Sequence, residues 1–138
     1  MNPNETKIIL ETMQCADGND TYETLEYIGF YRFQNNMHIL KYTETNEDNL
    51  TTDVRIKATP QKVTVIRKGA VNSTMIFKKD LTNKFMYNNM GMTLDMGLKT
   101  RDISISENAA TIALKIDYSL VSGINILSQN AIKITIFK

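Results

Sequence analysis

Apolar and polar residues alternate along almost the whole chain. In "MTLDMGLKT", Met92, Leu94, Met96, Leu98 and Thr100 share one face, while Thr93, Asp95, Gly97 and Lys99 share the other. Successive side chains of a strand point to opposite faces, so a period of two marks a half-buried strand. "ATIALKIDYSL" repeats the pattern with Ala110, Ile112, Leu114, Ile116, Tyr118 and Leu120 inward, and "AIKITIFK" with Ile132, Ile134 and Ile136. No segment holds a helical period, and the polar stretch "TNEDNLTT" reads as a loop. Turn signals at Asp17-Gly18-Asn19-Asp20, Asn35-Asn36, Thr59-Pro60-Gln61-Lys62, Lys68-Gly69, Asn88-Asn89, Ser106-Glu107-Asn108 and Ser122-Gly123 punctuate the chain at hairpin spacing. They separate expected strands at 4–15, 21–34, 37–45, 51–58, 63–68, 72–78, 84–88, 91–105, 110–121 and 125–137.

So many sequential strands, with no room for crossover helices, imply a meander. An open sheet of this length would expose its edges and one apolar face, so it is expected to close. The expectation is an all-β fold: a closed or nearly closed antiparallel barrel of eight to ten strands, forming a single domain over residues 1–138. The apolar parity switches between Leu98 and Ile103, which predicts a bulge around Arg101-Asp102.

One strand breaks the pattern. In "VTVIRKGAV" Arg67 falls on the same face as Val63 and Val65, so either that face is not the core or a cation points into one. A tight turn at Pro60-Gln61 pairs Ala58 with Val63, Ile56 with Val65 and Val54 with Arg67, which leaves Asp53, Arg55 and Lys57 outward. A loop at Gly69-Ala70-Val71 pairs Arg67 with Ser73, Val65 with Met75 and Val63 with Phe77. Upstream, a turn at Asn35-Asn36 pairs Phe33 with His38, Tyr31 with Leu40, Gly29 with Tyr42 and Tyr27 with Glu44. Tyr27, Tyr42, Glu44 and Arg67 then gather near one end of the lumen.

Composition narrows the classes. The net charge is +1 and the pI about 7.8, so no whole-protein field attracts nucleic acid or anionic lipid, and nucleic acid is not the expected partner. The single cysteine, Cys15, cannot form an internal disulfide. "MNPNETKIILETMQ" lacks a basic n-region, and its apolar run is short for a signal peptide. Apolar clusters are broken every few residues by Lys, Asp, Asn or Ser, far short of a membrane span. A soluble, cytoplasmic protein is expected.

Several stretches together resemble a known family. "YIGFYRF", "LKYTE", "VTVIRKGAV" followed by "MIF", and "MYNNMGMTLDMGLKT" occur in the order and spacing of the YwiB-like bacterial proteins, a family of unknown function. The resemblance implies a calycin-type, lipocalin-like barrel in a bacterial cytoplasm, and brings no known activity. Its pattern maps onto Gly29, Phe30, Tyr31, Tyr42, Glu44, Arg67, Gly69, Phe77, Tyr87, Gly91 and Thr100. The chain departs from it at "YNNMG", where Asn88, Asn89 and Met90 replace the family's Thr-Pro turn.

These residues suggest one candidate site. A cation at a barrel mouth can hold a carboxylate or phosphate, with tyrosine hydroxyls as donors. The candidate ligand residues are Arg67, Glu44, Tyr42, Tyr27, Tyr31 and Tyr87, for a small amphipathic or acidic molecule. A structural reading stands beside it, in which Glu44 neutralises Arg67 because an unpaired buried charge is costly. The alternative is an RNA- or protein-interaction surface on the outer basic strands, using Arg55, Lys57, Lys68, Lys78 and Lys79. Outer lysines also guard sheets against edge-to-edge association.

An enzyme is the weakest class. His38 has no second histidine, Cys15 has no CxxC or histidine partner, and Asp17 to Asp20 is too short for a calcium loop. Met86, Met90, Met92 and Met96 read as core filling rather than a copper site. No catalytic residue, metal or cofactor is expected.

Overall fold

A computed structural model describes residues 5–89 and 91–138. The chain forms ten strands: β1 (Glu5–Ala16), β2 (Asn19–Gln34), β3 (Met37–Thr45), β4 (Thr51–Ala58), β5 (Lys62–Gly69), β6 (Val71–Lys78), β7 (Thr82–Asn89), β8 (Met92–Glu107), β9 (Thr111–Ser122) and β10 (Asn125–Phe137). Each pairs antiparallel with its sequence neighbour, and β1 pairs with β10 to close the barrel. The expected strands all form. Residue 4 and Met90, which the sequence placed in the first strand and in the β7–β8 turn, lie outside the described residues.

Closure follows from the alternating pattern. Ile8, Leu40, Ile56, Val63, Phe77, Ile112, Ile116 and Ile136 face inward and are almost fully buried. They fill the half of the barrel nearest the chain ends, here called the lower end. The upper end carries the β1–β2, β3–β4, β5–β6, β7–β8 and β9–β10 connections, and polar residues enter the interior there.

Register follows the hydrophobic pattern closely. Val54 lies opposite Arg67, Ile56 opposite Val65 and Ala58 opposite Val63. Across the next ladder Arg67 pairs with Ser73, Val65 with Met75 and Val63 with Phe77. Gly69 has φ +141°, and a Cβ there would collide with the Thr51 carbonyl, so only glycine lets the β5–β6 connection pass so close to β4. The parity switch at Arg101 is a bulge between Thr100 and Asp102, pinned by Arg101 Nη1 donating to Ser119 Oγ at 2.7 Å. A second bulge, between Ile126 and Ser128, was not legible because no change of apolar parity marks it.

The β2–β3 ladder differs from expectation. It runs only from Gln34↔Met37 to Phe30↔Lys41, so the expected Gly29–Tyr42 and Tyr27–Glu44 pairs do not form. At Gly29 β2 presses against the Lys41 carbonyl so closely that any Cβ would collide with it. Above that point β2 remains with β1 as far as Asn19, while β3 follows β4. The rings of Tyr27 and Tyr42 stack across the resulting split with centroids 4.5 Å apart. A similar divergence separates β6 from β7, which pair only at Val71↔Asn89, Asn72↔Asn88 and Ser73↔Tyr87.

Candidate functional site

Arg67 points into the barrel. Its Nε donates to Glu44 Oε1 at 3.0 Å, with the two side chains 22% and 26% exposed. This is an ion pair at a partly open mouth, not one sealed in the core. Nη1 reaches only the Met75 sulfur, at 3.7 Å, a weak acceptor. Burial alone would lower the guanidinium pKa, but the charge and hydrogen bond of Glu44, aided by Tyr42 and Tyr118, outweigh it and hold the pKa above its ordinary value. Arg67 therefore stays charged.

Tyrosines surround the pair. Burial pushes the Tyr42 hydroxyl well above the ordinary phenol range, and the Glu44 carboxylate adds to it. Tyr27 is raised by the same two causes, and Tyr118 by burial. All three keep their protons at neutral pH and remain hydrogen-bond donors. Tyr118 also packs edge-on against Phe77, with centroids 4.9 Å apart. Opposite Arg67 on β6 lies Ser73, and opposite Tyr118 on β8 lies Thr100. The Ser73 Oγ and Thr100 Oγ1 hydroxyls are buried without a hydrogen-bond partner. Orphaned buried hydroxyls are uncommon, because each forfeits its hydration without replacement. The arrangement offers a cation with unused donor capacity, neutral phenols and two unsatisfied hydroxyls: the chemistry of a receptor for a small acid.

The structure brings together Arg67, Glu44, Tyr42 and Tyr27 as the sequence suggested, with Tyr87 directly across the ladder from Ser73. It places Tyr31 elsewhere. Tyr31 lies toward the lower end, where its hydroxyl meets His38 Nδ1 at 2.8 Å and Phe33 packs on the same imidazole. Ser73, Thr100 and Tyr118 were read from sequence as inward or family positions, not as site residues. Ser73 lies opposite Arg67 as the hairpin reading expected, whereas the approach of Tyr118, with Thr100 opposite it, depends on barrel closure.

The remaining candidates find structural roles. Burial is the largest influence on His38 and lowers its pKa. The folded chain thus binds its proton less readily than the unfolded chain, and the stability involved is present above pH 6.5 and lost as pH falls through the folded pKa. Proton NMR of the His38 ring is expected to show a midpoint below 6.5, shifting toward that value in Tyr31→Phe if the hydroxyl helps hold the ring in place. Cys15 faces Asp20 across the β1–β2 ladder, and that carboxylate's hydrogen bond and charge push the thiol up, which disfavours a nucleophilic thiolate. Among the described residues no three His, Cys, Asp or Glu side chains cluster as a metal site would need.

The outer basic residues separate into groups. Arg55 pairs with Lys41 and Ile66 on neighbouring strands. Lys57 lies one outward position further along β4, and Lys68 is opposite Asp53. Lys78 and Lys79 sit at the lower end, where Lys79 pairs with Asp102 at 3.6 Å. No helix in the described residues is long and apolar enough to cross a membrane.

Comparison with known proteins agrees with this architecture. A crystal structure of the ywiB protein from Bacillus subtilis superposes with a TM-score of 0.83 at 23% identity, covering 97% of this chain and 92% of that one. At that identity the likeness establishes the fold. A search of curated proteins gives no match. The model for a domain of unknown function, DUF1934, matches residues 8–134, nearly the whole barrel including every strand that carries the Arg67 cluster, and the chain belongs to that family.

Proposed function

We propose that the protein binds a small acidic molecule at the upper end of the barrel, with its carboxylate or phosphate on Arg67. The observation that carries this reading is the pairing of a guanidinium that spends only its Nε on Glu44 with two buried, unpartnered hydroxyls, Ser73 and Thr100, on the same interior surface. Neutral Tyr27, Tyr42 and Tyr118 supply further donors. The filled lower half leaves no space for a long tail, so the ligand is compact, and a cytoplasmic metabolite-sized acid fits better than a lipid.

Glu44 competes with the ligand for Arg67. Titration with inorganic phosphate and with benzoate, followed through the Arg67 side-chain NMR signal and tyrosine fluorescence, is expected to show tighter binding in Glu44→Gln by about tenfold, the order expected for a charge-assisted contact. Arg67→Met should abolish binding while retaining the barrel's circular dichroism. Native mass spectrometry of protein purified from its own host would identify the retained acid. Unchanged affinity in Arg67→Met would overturn the reading.

A further inference from the structure

We propose that a groove on the outside of the barrel binds single-stranded nucleic acid. A cavity of 650 Å³ is walled by outward-facing Ile28 and Phe30 of β2, Lys41 of β3, Arg55 of β4, and Ile66 and Lys68 of β5. A second, of 940 Å³, shares Ile66 and Lys68, continues over Thr74 to Lys84 and Met86 of β7, and opens through the β6–β7 split onto the inward-facing Arg67, Ser73, Phe85 and Met96. The two form one path across β2 to β8. At about 4.8 Å per strand spacing, six spacings give about 29 Å, long enough for several nucleotides and far longer than a single one needs.

The charges in this groove are unspent. Among the described residues the ion pairs are Lys7–Glu26, Arg67–Glu44, Lys79–Asp102 and Lys138–Glu107, so Lys41, Arg55, Lys68 and Lys84 have no carboxylate partner. The carboxylates present are Glu26, held by Lys7 at 3.6 Å, Asp53, which accepts a hydrogen bond from Thr43 Oγ1 at 3.2 Å, and Asp95 on the far rim beyond Met86. Between the cations lie apolar side chains open to solvent. Phe30 is 49% exposed and sits directly opposite Lys41, Ile28 is 52% exposed and Met86 61%. An exposed aromatic ring and aliphatic side chains interleaved with cations suit a strand of nucleic acid, with bases on the apolar floor and phosphates on the rim.

An acidic peptide strand is a poorer occupant. From β3 to β5 the groove floor is the face of an intact sheet, whose backbone groups are spent on their own ladders, so it offers a peptide no main-chain pairing. Side-chain chemistry alone must then recognise the occupant, and an exposed phenyl ring beside unpaired cations discriminates for stacked bases.

The test uses the whole chain and a fluorescein-labelled twelve-residue oligouridylate, read by fluorescence anisotropy. Binding is expected to weaken steeply with salt, with a slope of about 0.7 per phosphate contact. Lys41→Glu with Lys68→Glu should abolish it, Phe30→Ala should weaken it about tenfold, and Lys115→Glu, exposed on β9 and outside the groove, should leave it largely unchanged. A poly-glutamate peptide of equal charge should bind weakly and ignore Phe30→Ala. All of these substitutions are on the outer surface, and circular dichroism confirms folding. No oligonucleotide binding at low salt would overturn the proposal. So would binding insensitive to the two charge reversals, or poly-glutamate binding as tightly as RNA with Phe30→Ala without effect.

Discussion

Replacing Gly29 with alanine is expected to destabilise the barrel by about 3 kcal/mol, the upper range for overpacking a tight interior. The added methyl would collide with the Lys41 carbonyl oxygen and stand 3.0 Å from both Ile8 Cδ1 and Tyr42 Cβ. A backbone oxygen inside a ladder cannot step aside as a flexible side-chain end can. To make room, β2 must move away from β3 where their ladder ends, which also pulls apart the Tyr27–Tyr42 stack. Urea unfolding followed by tyrosine fluorescence, in a chain without tryptophan, measures the loss. A cost below about 1 kcal/mol would show that the close approach is not structurally required.

The second large effect lies at the ion pair. Glu44→Leu leaves a mostly buried guanidinium without its partner and is expected to cost about 3 kcal/mol. Arg67→Met leaves the carboxylate nearer the mouth, where water and the tyrosine hydroxyls can reach it, and should cost about 1 to 2 kcal/mol. The double variant is expected to recover most of the stability, because replacing both charges with apolar groups removes the desolvation cost together with the attraction. A double-mutant cycle by urea unfolding measures the coupling. Additive losses would mean that Arg67 and Glu44 do not depend on each other for stability. The same cycle bears on function: if the barrel tolerates the double change, stability does not account for keeping a charged pair at this mouth.

Much of the fold was legible because strand periodicity is a strong local signal. Any one-residue slip would turn Val54, Ile56, Val63 and Val65 out to water, so the β4–β5 and β5–β6 registers could be read directly. The β8 bulge was legible for the same reason, since a parity switch has no other cheap explanation. The β2–β3 split was not, because its cause is a backbone approach at Gly29 and the competing pull of β1, neither of which leaves a mark on hydrophobic alternation. The site was half legible. Arg67 announced itself as a cation among valines, and turn geometry led from it to Glu44 and Tyr42. Tyr31 shares their inward parity but lies at the other end, a displacement along the strand that parity cannot report.

Local chemistry along the sequence therefore determined the strands, their facing and the inward-pointing cation, since side-chain period and turn residues act over a few positions. Tertiary structure alone decided which groups of distant strands approach that cation. Ser73 meets Arg67 across a local hairpin, but Tyr118 of β9, with Thr100 opposite it on β8, comes near Arg67 only once the meander closes. The same curvature joins Phe30, Lys41, Arg55 and Lys68 into one outer groove from four separate strands. Such convergence depends on barrel curvature and inter-strand stagger, which are properties of the closed sheet and not of any segment within it.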